Sequence, residues 1–144
     1  MKQTLLSAIL LFTALAACKK DDNPSLQEER RKIILNGNWN MVYRGEDANK
    51  DGQYDIADDF ENYLAECQKD DTYTFQNDNK YTIAPNANTN GCTTETILGS
   101  WELNADGTSL VMDTYQGKID SITTNYIRYH LDIDDYTIYY ILTK

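Results

Sequence analysis

Apolar and polar residues alternate through most of this chain, and the alternation divides it into short strands. The cleanest stretch runs from Tyr126 to Ile133: Ile127, Tyr129, Leu131 and Ile133 take one face, and Arg128, His130 and Asp132 take the other. A period of two marks a half-buried β-strand. The same pattern predicts strands at Asn38–Arg44, with Trp39, Met41 and Tyr43 on one side, at Asp71–Gln76, with Tyr73 and Phe75 inward, and at Lys80–Ala84, with Tyr81 and Ile83 inward. It continues through Thr96–Leu103 (Leu98 and Trp101 inward), Ser109–Asp113 (Leu110 and Met112), Lys118–Thr123 and Tyr136–Leu142. Between them stand Asn77-Asp78-Asn79, Asn104-Ala105-Asp106-Gly107 and Asp134-Asp135, turn residues that tolerate positive φ and bond their own backbone. The expected fold class is mainly β: an antiparallel eight-stranded meander closing into a barrel or curved sheet.

Two segments depart from this period. From Ile56 to Lys69, the residues Phe60, Tyr63, Leu64 and Cys67 recur at helical spacing with Asp58, Asp59, Glu61 and Glu66 outside, which predicts one short helix after the first strand. From Leu26 to Leu35 the chain is charged and helix-compatible. Its acidic and basic residues can pair at helical spacing, so it reads as a lead-in helix or tether with a solvated face.

The start of the chain changes the picture from fold to address. Lys2 precedes an apolar run from Leu5 to Ala17, shorter than the ~20 residues a spanning helix needs. A basic start, an apolar core and small residues before a cleavage point describe a secretory signal. Leu15-Ala16-Ala17-Cys18 resembles the lipobox of bacterial lipoproteins, which implies that Cys18 is acylated and holds the chain to a membrane. Lys19-Lys20-Asp21-Asp22 resembles the export signal of Bacteroidota surface lipoproteins, which implies an outer-membrane lipid anchor facing the cell surface. The expected organisation is a signal peptide at 1–17, the acylated cysteine and a polar tether at 18–32, and one domain at 33–144.

A formal net charge of −10 repels nucleic acid phosphates, so no nucleic-acid partner is expected. With Cys18 taken by lipid, Cys67 and Cys92 remain in an oxidising compartment, where an even pair reads most simply as a disulfide. A metal–thiolate site would need further cysteine or histidine partners, which the neighbouring sequence lacks. In the chain-entropy model such a bridge contributes ~3–4 kcal/mol.

The densest chemistry lies from Asp47 to Asp58. Asp47, Asn49, Asp51, Asp55 and Asp58 take the first, third, fifth, ninth and twelfth places, with Gly52 sixth and the Gln53 carbonyl seventh. That spacing lets a loop wrap a calcium ion in hard oxygens. The last place carries aspartate where glutamate would reach further. A structural Ca²⁺ joining strand to helix is the expected role, and the alternative is a metal-free acidic surface loop. His130 is the chain's single histidine. It shares a face with Asp132, but no activated serine or cysteine accompanies them, so the chain does not read as an enzyme.

Leu35-Asn36-Gly37-Asn38-Trp39, Cys67-Gln68-Lys69-Asp70-Asp71-Thr72-Tyr73-Thr74-Phe75, Gly91-Cys92 and Gly99-Ser100-Trp101-Glu102-Leu103 together resemble the lipocalin-like domain of small Bacteroidota lipoproteins. The resemblance covers Ile33 to Lys144. It implies an eight-stranded, barrel-like fold with Cys67 and Cys92 bridged, and it leaves activity undefined. The expected function is a lipid-anchored, non-catalytic binding module taking a small molecule or protein partner at the barrel mouth. A structural envelope lipoprotein is the alternative.

Overall fold

The computed structural model describes residues 23–52, 68–85 and 95–144. The predicted helix between Ile56 and Lys69 lies almost wholly outside them. Helix α1 spans Leu26–Leu35. It starts where Ser25 makes a reciprocal capping box: its hydroxyl accepts the Glu28 N–H at 3.2 Å, and its own N–H donates to Glu28 Oε2 at 2.9 Å. Glu28 and Glu29 in the first turn and Lys32 in the last complement the helix dipole.

Eight strands follow: β1 (Asn38–Asp47), β2 (Thr72–Phe75), β3 (Lys80–Ala84), β4 (Ile97–Leu103), β5 (Ser109–Met112), β6 (Tyr115–Ile122), β7 (Tyr126–Asp132) and β8 (Thr137–Thr143). Each pairs antiparallel with its neighbours, and β1 pairs with β8 to close the barrel. Closure removes the unpaired edges that an open sheet would present. The meander expected from the alternation is therefore the observed architecture.

Two inward assignments change. The ladder between β1 and β8 slips between Met41 and Tyr43. A bulge inserts one residue and reverses the phase beyond it. Arg44 consequently faces the barrel interior, and Tyr43 turns out to lie over Gly45 on the other face. On β4, Leu98 is 77% exposed while Trp101 and Leu103 are buried. The alternation there runs through Gly99, whose missing side chain hid the inward position.

Helix α1 seals one end of the barrel. Ile34 is buried against Trp39, whose indole N–H donates to the Ile34 carbonyl at 2.9 Å. Gln27 Nε2 and Arg30 Nη1 donate to the carbonyls of Leu103 (3.0 Å) and Gly107 (2.7 Å). Arg31 Nη2 reaches Asn77 O and Asn79 Oδ1, and its guanidinium lies 4.7 Å from the Trp101 ring centre. The segment read as a solvated tether up to residue 32 is thus, from Ser25 onward, part of the folded unit. Behind it Phe75 meets Trp101 edge-on at 5.3 Å, and Leu103, Leu110, Ile127 and Leu142 complete a close-packed core.

Candidate binding cavity

Toward the opposite end, the described residues leave space between the strands. A cavity of about 430 Å³ lies between the strands there, within the ~300–1,000 Å³ range of small-molecule sites. Met41, Ile83, Met112, Leu131 and Ile138 supply its apolar wall. Tyr73, Tyr81, Tyr129 and Tyr140 supply its aromatic wall, and Arg44 and Asp113 are its charged members. The cavity reaches a rim where Tyr115 is 64% exposed.

Strand glycines make this space usable. Tyr81 pairs with Gly99, and a Cβ on Gly99 would collide with the Tyr81 ring. A Cβ on Gly117 would stand 2.7 Å from Tyr129 Cδ2 and 3.1 Å from the His130 carbonyl. Each tyrosine therefore lies flat over a neighbouring glycine instead of projecting into the lumen. Tyr129 also stacks on Tyr140, with ring centres 5.0 Å apart and planes 10° apart.

The polar groups of the wall are held by the sheet. Tyr81 donates its hydroxyl to Asp113 Oδ2 at 2.7 Å, while the Ser100 N–H donates to Asp113 Oδ1 at 2.8 Å. The Tyr81 hydrogen bond holds the Asp113 carboxyl below its ordinary value. Burial, and then the Asp113 hydrogen bond and charge, push the Tyr81 phenol well above its own. Asp113 sits at φ +53 in the tight β5–β6 turn, a conformation aspartate tolerates better than most residues. Burial first, with Asp71 and Tyr140 adding, pushes Tyr73 up to about 12. Tyr129 is raised well above its ordinary value, chiefly by burial. All of these phenols stay neutral near pH 7, so they meet a ligand as hydrogen-bonding groups and not as anions.

The acidic loop is described only in its first half. Asp47 ends β1 and is 1% exposed, with Oδ2 accepting the Gly52 N–H at 2.9 Å and Oδ1 the Asp51 N–H at 3.2 Å. Asn49 Oδ1 also accepts the Asp51 N–H, at 2.9 Å, and Asp51 is exposed. Lys50 ties the loop to the β7–β8 turn through the carbonyls of Ile133 and Asp134. Gln53, Asp55 and Asp58 lie outside the described residues, as do Cys18, Cys67 and Cys92. Among the described residues, no group of three or more His, Cys, Asp or Glu side chains is placed to hold a metal ion.

His130 belongs to a charged cluster on the barrel exterior. Its Nδ1 lies 2.7 Å from Asp120 Oδ1, and its Nε2 lies 3.8 Å from Asp132 Oδ1. Lys118 donates to Asp132 Oδ2 at 2.6 Å, which holds the Asp132 carboxyl low. Both ring nitrogens thus face carboxylates, an arrangement that cross-links β6 and β7. The alternation puts Arg128 on the same face as His130 and Asp132, whereas Lys118 and Asp120 come from the paired strand β6 and carry no sequence signal that joins them to this cluster. Arg44 also went unnoticed, because its inward turn depends on the bulge.

No helix among the described residues is long and apolar enough to cross a membrane. No curated protein matches the chain. The model of the family described as "Domain of unknown function (DUF5004)" matches residues 14–129, most of the sequence, and the chain belongs to that family.

Proposed function

We propose that this chain is a lipid-anchored lipoprotein whose lipocalin-like barrel binds a small ligand without catalysis. The observation that carries this reading is the cavity: about 430 Å³, walled by apolar and tyrosine side chains, and reaching the rim at Tyr115. Tyrosine joins apolar area to a polar tip, which suits a wall meant to hold an organic molecule. The address rests on sequence: the apolar run before Cys18 and the lipobox resemblance imply acylation there, and the resemblance of Lys19-Lys20-Asp21-Asp22 to a surface export signal implies an outer-membrane anchor facing the cell surface. The bridge between Cys67 and Cys92 likewise rests on sequence, as the even pair left in an oxidising compartment.

The test uses the full chain with Cys18→Ala, so that no acyl group is attached at that position, and the neutral fluorescent probe phenylnaphthylamine. Saturable binding of one molecule per chain is expected. Ile138→Trp places an indole in the wall of the cavity and should abolish it. Absence of saturable binding, or binding indifferent to Ile138→Trp, would sink the reading.

A further inference from the structure

Six tyrosines line the cavity: Tyr73, Tyr81, Tyr115, Tyr129, Tyr136 and Tyr140. Its two charged members stand on different sides. Arg44 belongs to β1, where it pairs with Tyr140 of β8. Asp113 follows β5, and in this closed barrel β5 lies four places from β1 in either direction. Carboxylate and guanidinium therefore belong to opposite walls.

The Asp113 wall joins a negative charge to aromatic rings. Tyr81 donates to Asp113 Oδ2 at 2.7 Å, and its ring is laid back over Gly99, so it meets the cavity with its face. That face is the negative side of the ring quadrupole. A hydrogen bond given to a carboxylate polarises the phenol further. Asp113 is exposed at the rim, and Tyr115, two residues on, is 64% exposed beside it. The Tyr81 and Ser100 hydrogen bonds keep the Asp113 carboxyl low, so it is charged at neutral pH. A quaternary ammonium donates no hydrogen bond. It needs from such a wall only a negative charge and ring faces, however many acceptor positions Asp113 has already filled. The chain as a whole, at −10, draws cations and repels anions.

We infer that the ligand is an amphipathic organic ammonium, its cationic head beside Asp113 and the Tyr81 and Tyr115 rings and its apolar body among Met41, Ile83, Met112 and Ile138. This inference rests on the cavity reading and adds the charge and class of the molecule held there. Ring faces attract ammonium groups more strongly as the contact loses water, which favours a recessed wall over an open surface.

Octyltrimethylammonium and octanesulfonate share one alkyl chain and differ in the sign of the head. On the full chain with Cys18→Ala, each is tested for displacement of bound phenylnaphthylamine. The ammonium should compete at a concentration about tenfold lower than the sulfonate. Asp113→Asn should narrow that gap to about twofold; asparagine tolerates the φ of +53 at this position. Glu102→Gln removes one charge from an exposed position of β4 and should leave the gap as it is, which separates the site from the net charge of the chain. Should Asp113→Asn not fold, Tyr115→Leu at its exposed position carries the same test, with the gap shrinking about threefold. Equal competition, a preference for the sulfonate, or a gap unmoved by the site variants would overturn the inference with the cavity intact. If phenylnaphthylamine itself does not bind, the cavity reading fails and takes this inference with it.

Discussion

At the α1 end of the barrel, Trp39 and Trp101 are 0% and 1% exposed, and each indole N–H ends on a main-chain carbonyl, of Ile34 and of Gln76. At the other end, Tyr73, Tyr81, Tyr129 and Tyr140 border a cavity. Both ends are aromatic, and both place a cation beside a ring: Arg31 and Lys144 lie 4.7 Å from the two indoles, and Arg44 lies 6.0 Å from Tyr140. The difference lies in what fills the remaining space. A helix carrying Ile34 closes the first end, whereas glycines at 99 and 117 let the tyrosine rings lie back at the second. One end is thus built to be full and the other to keep room.

The strongest test of that division is truncation at each end. Trp39→Ala or Trp101→Ala should cost ~3–5 kcal/mol, the range for emptying a packed aromatic site, and Trp39→Ala also takes the indole donor from the Ile34 carbonyl. Tyr140→Ala borders space that is already empty, so the loss should be less than half as large. Denaturant melts of the three variants would measure this. Equal losses at both ends would show that the open end carries the fold as much as the closed one does.

The glycines sharpen the comparison at a smaller scale. Gly99→Ala should drive Tyr81 off its place over β4 and loosen its bond to Asp113, and Gly117→Ala should press on Tyr129. Overpacking of this kind costs ~1–3 kcal/mol. Because both rings belong to the cavity wall, neutral-probe binding should weaken together with stability. A stability loss with unchanged binding would separate the rings from the site.

These contrasts mark how far the sequence could be read. The strands were legible because alternating runs stand between turn residues, and Lys80–Ala84 and Ile127 through Leu131 fall where the pattern puts them. The capping box Ser25–Glu28 was also written in the chain, although the docking of α1 depends on carbonyls far along it. The cavity was much less legible. Its cation arrives by a bulge that no periodicity announces, and its tyrosines are accommodated by glycines on other strands. A side chain that is missing leaves no mark in a hydrophobic pattern. Gly45 was the one local hint at the phase change, since a strand glycine often accompanies an irregular or closely approached backbone.

The smallest expected effect concerns Asp71, at the entry to β2. It is 9% exposed, and its Oδ1 has no hydrogen-bond partner among the described residues. At the closed end, by contrast, both indole N–H groups are satisfied. Burial first, and then the neighbouring Asp70 charge, raise the Asp71 carboxyl above its ordinary 3.8. The folded state therefore holds this proton more tightly than the unfolded chain does, and the contribution to stability falls as pH rises from 3.8 through the folded-state value. At neutral pH the ionised side chain is a cost. Asp71→Asn should remove it, raising Tm at pH 7 by ~1–3 °C, in line with a sub-kcal change in a small domain, and flattening the slope of Tm in mild acid. The same substitution removes a charge that raises Tyr73, so the ionisation of that tyrosine should move to lower pH than in the parent. A lower Tm at pH 7 would mean that the carboxylate is stabilised by its surroundings.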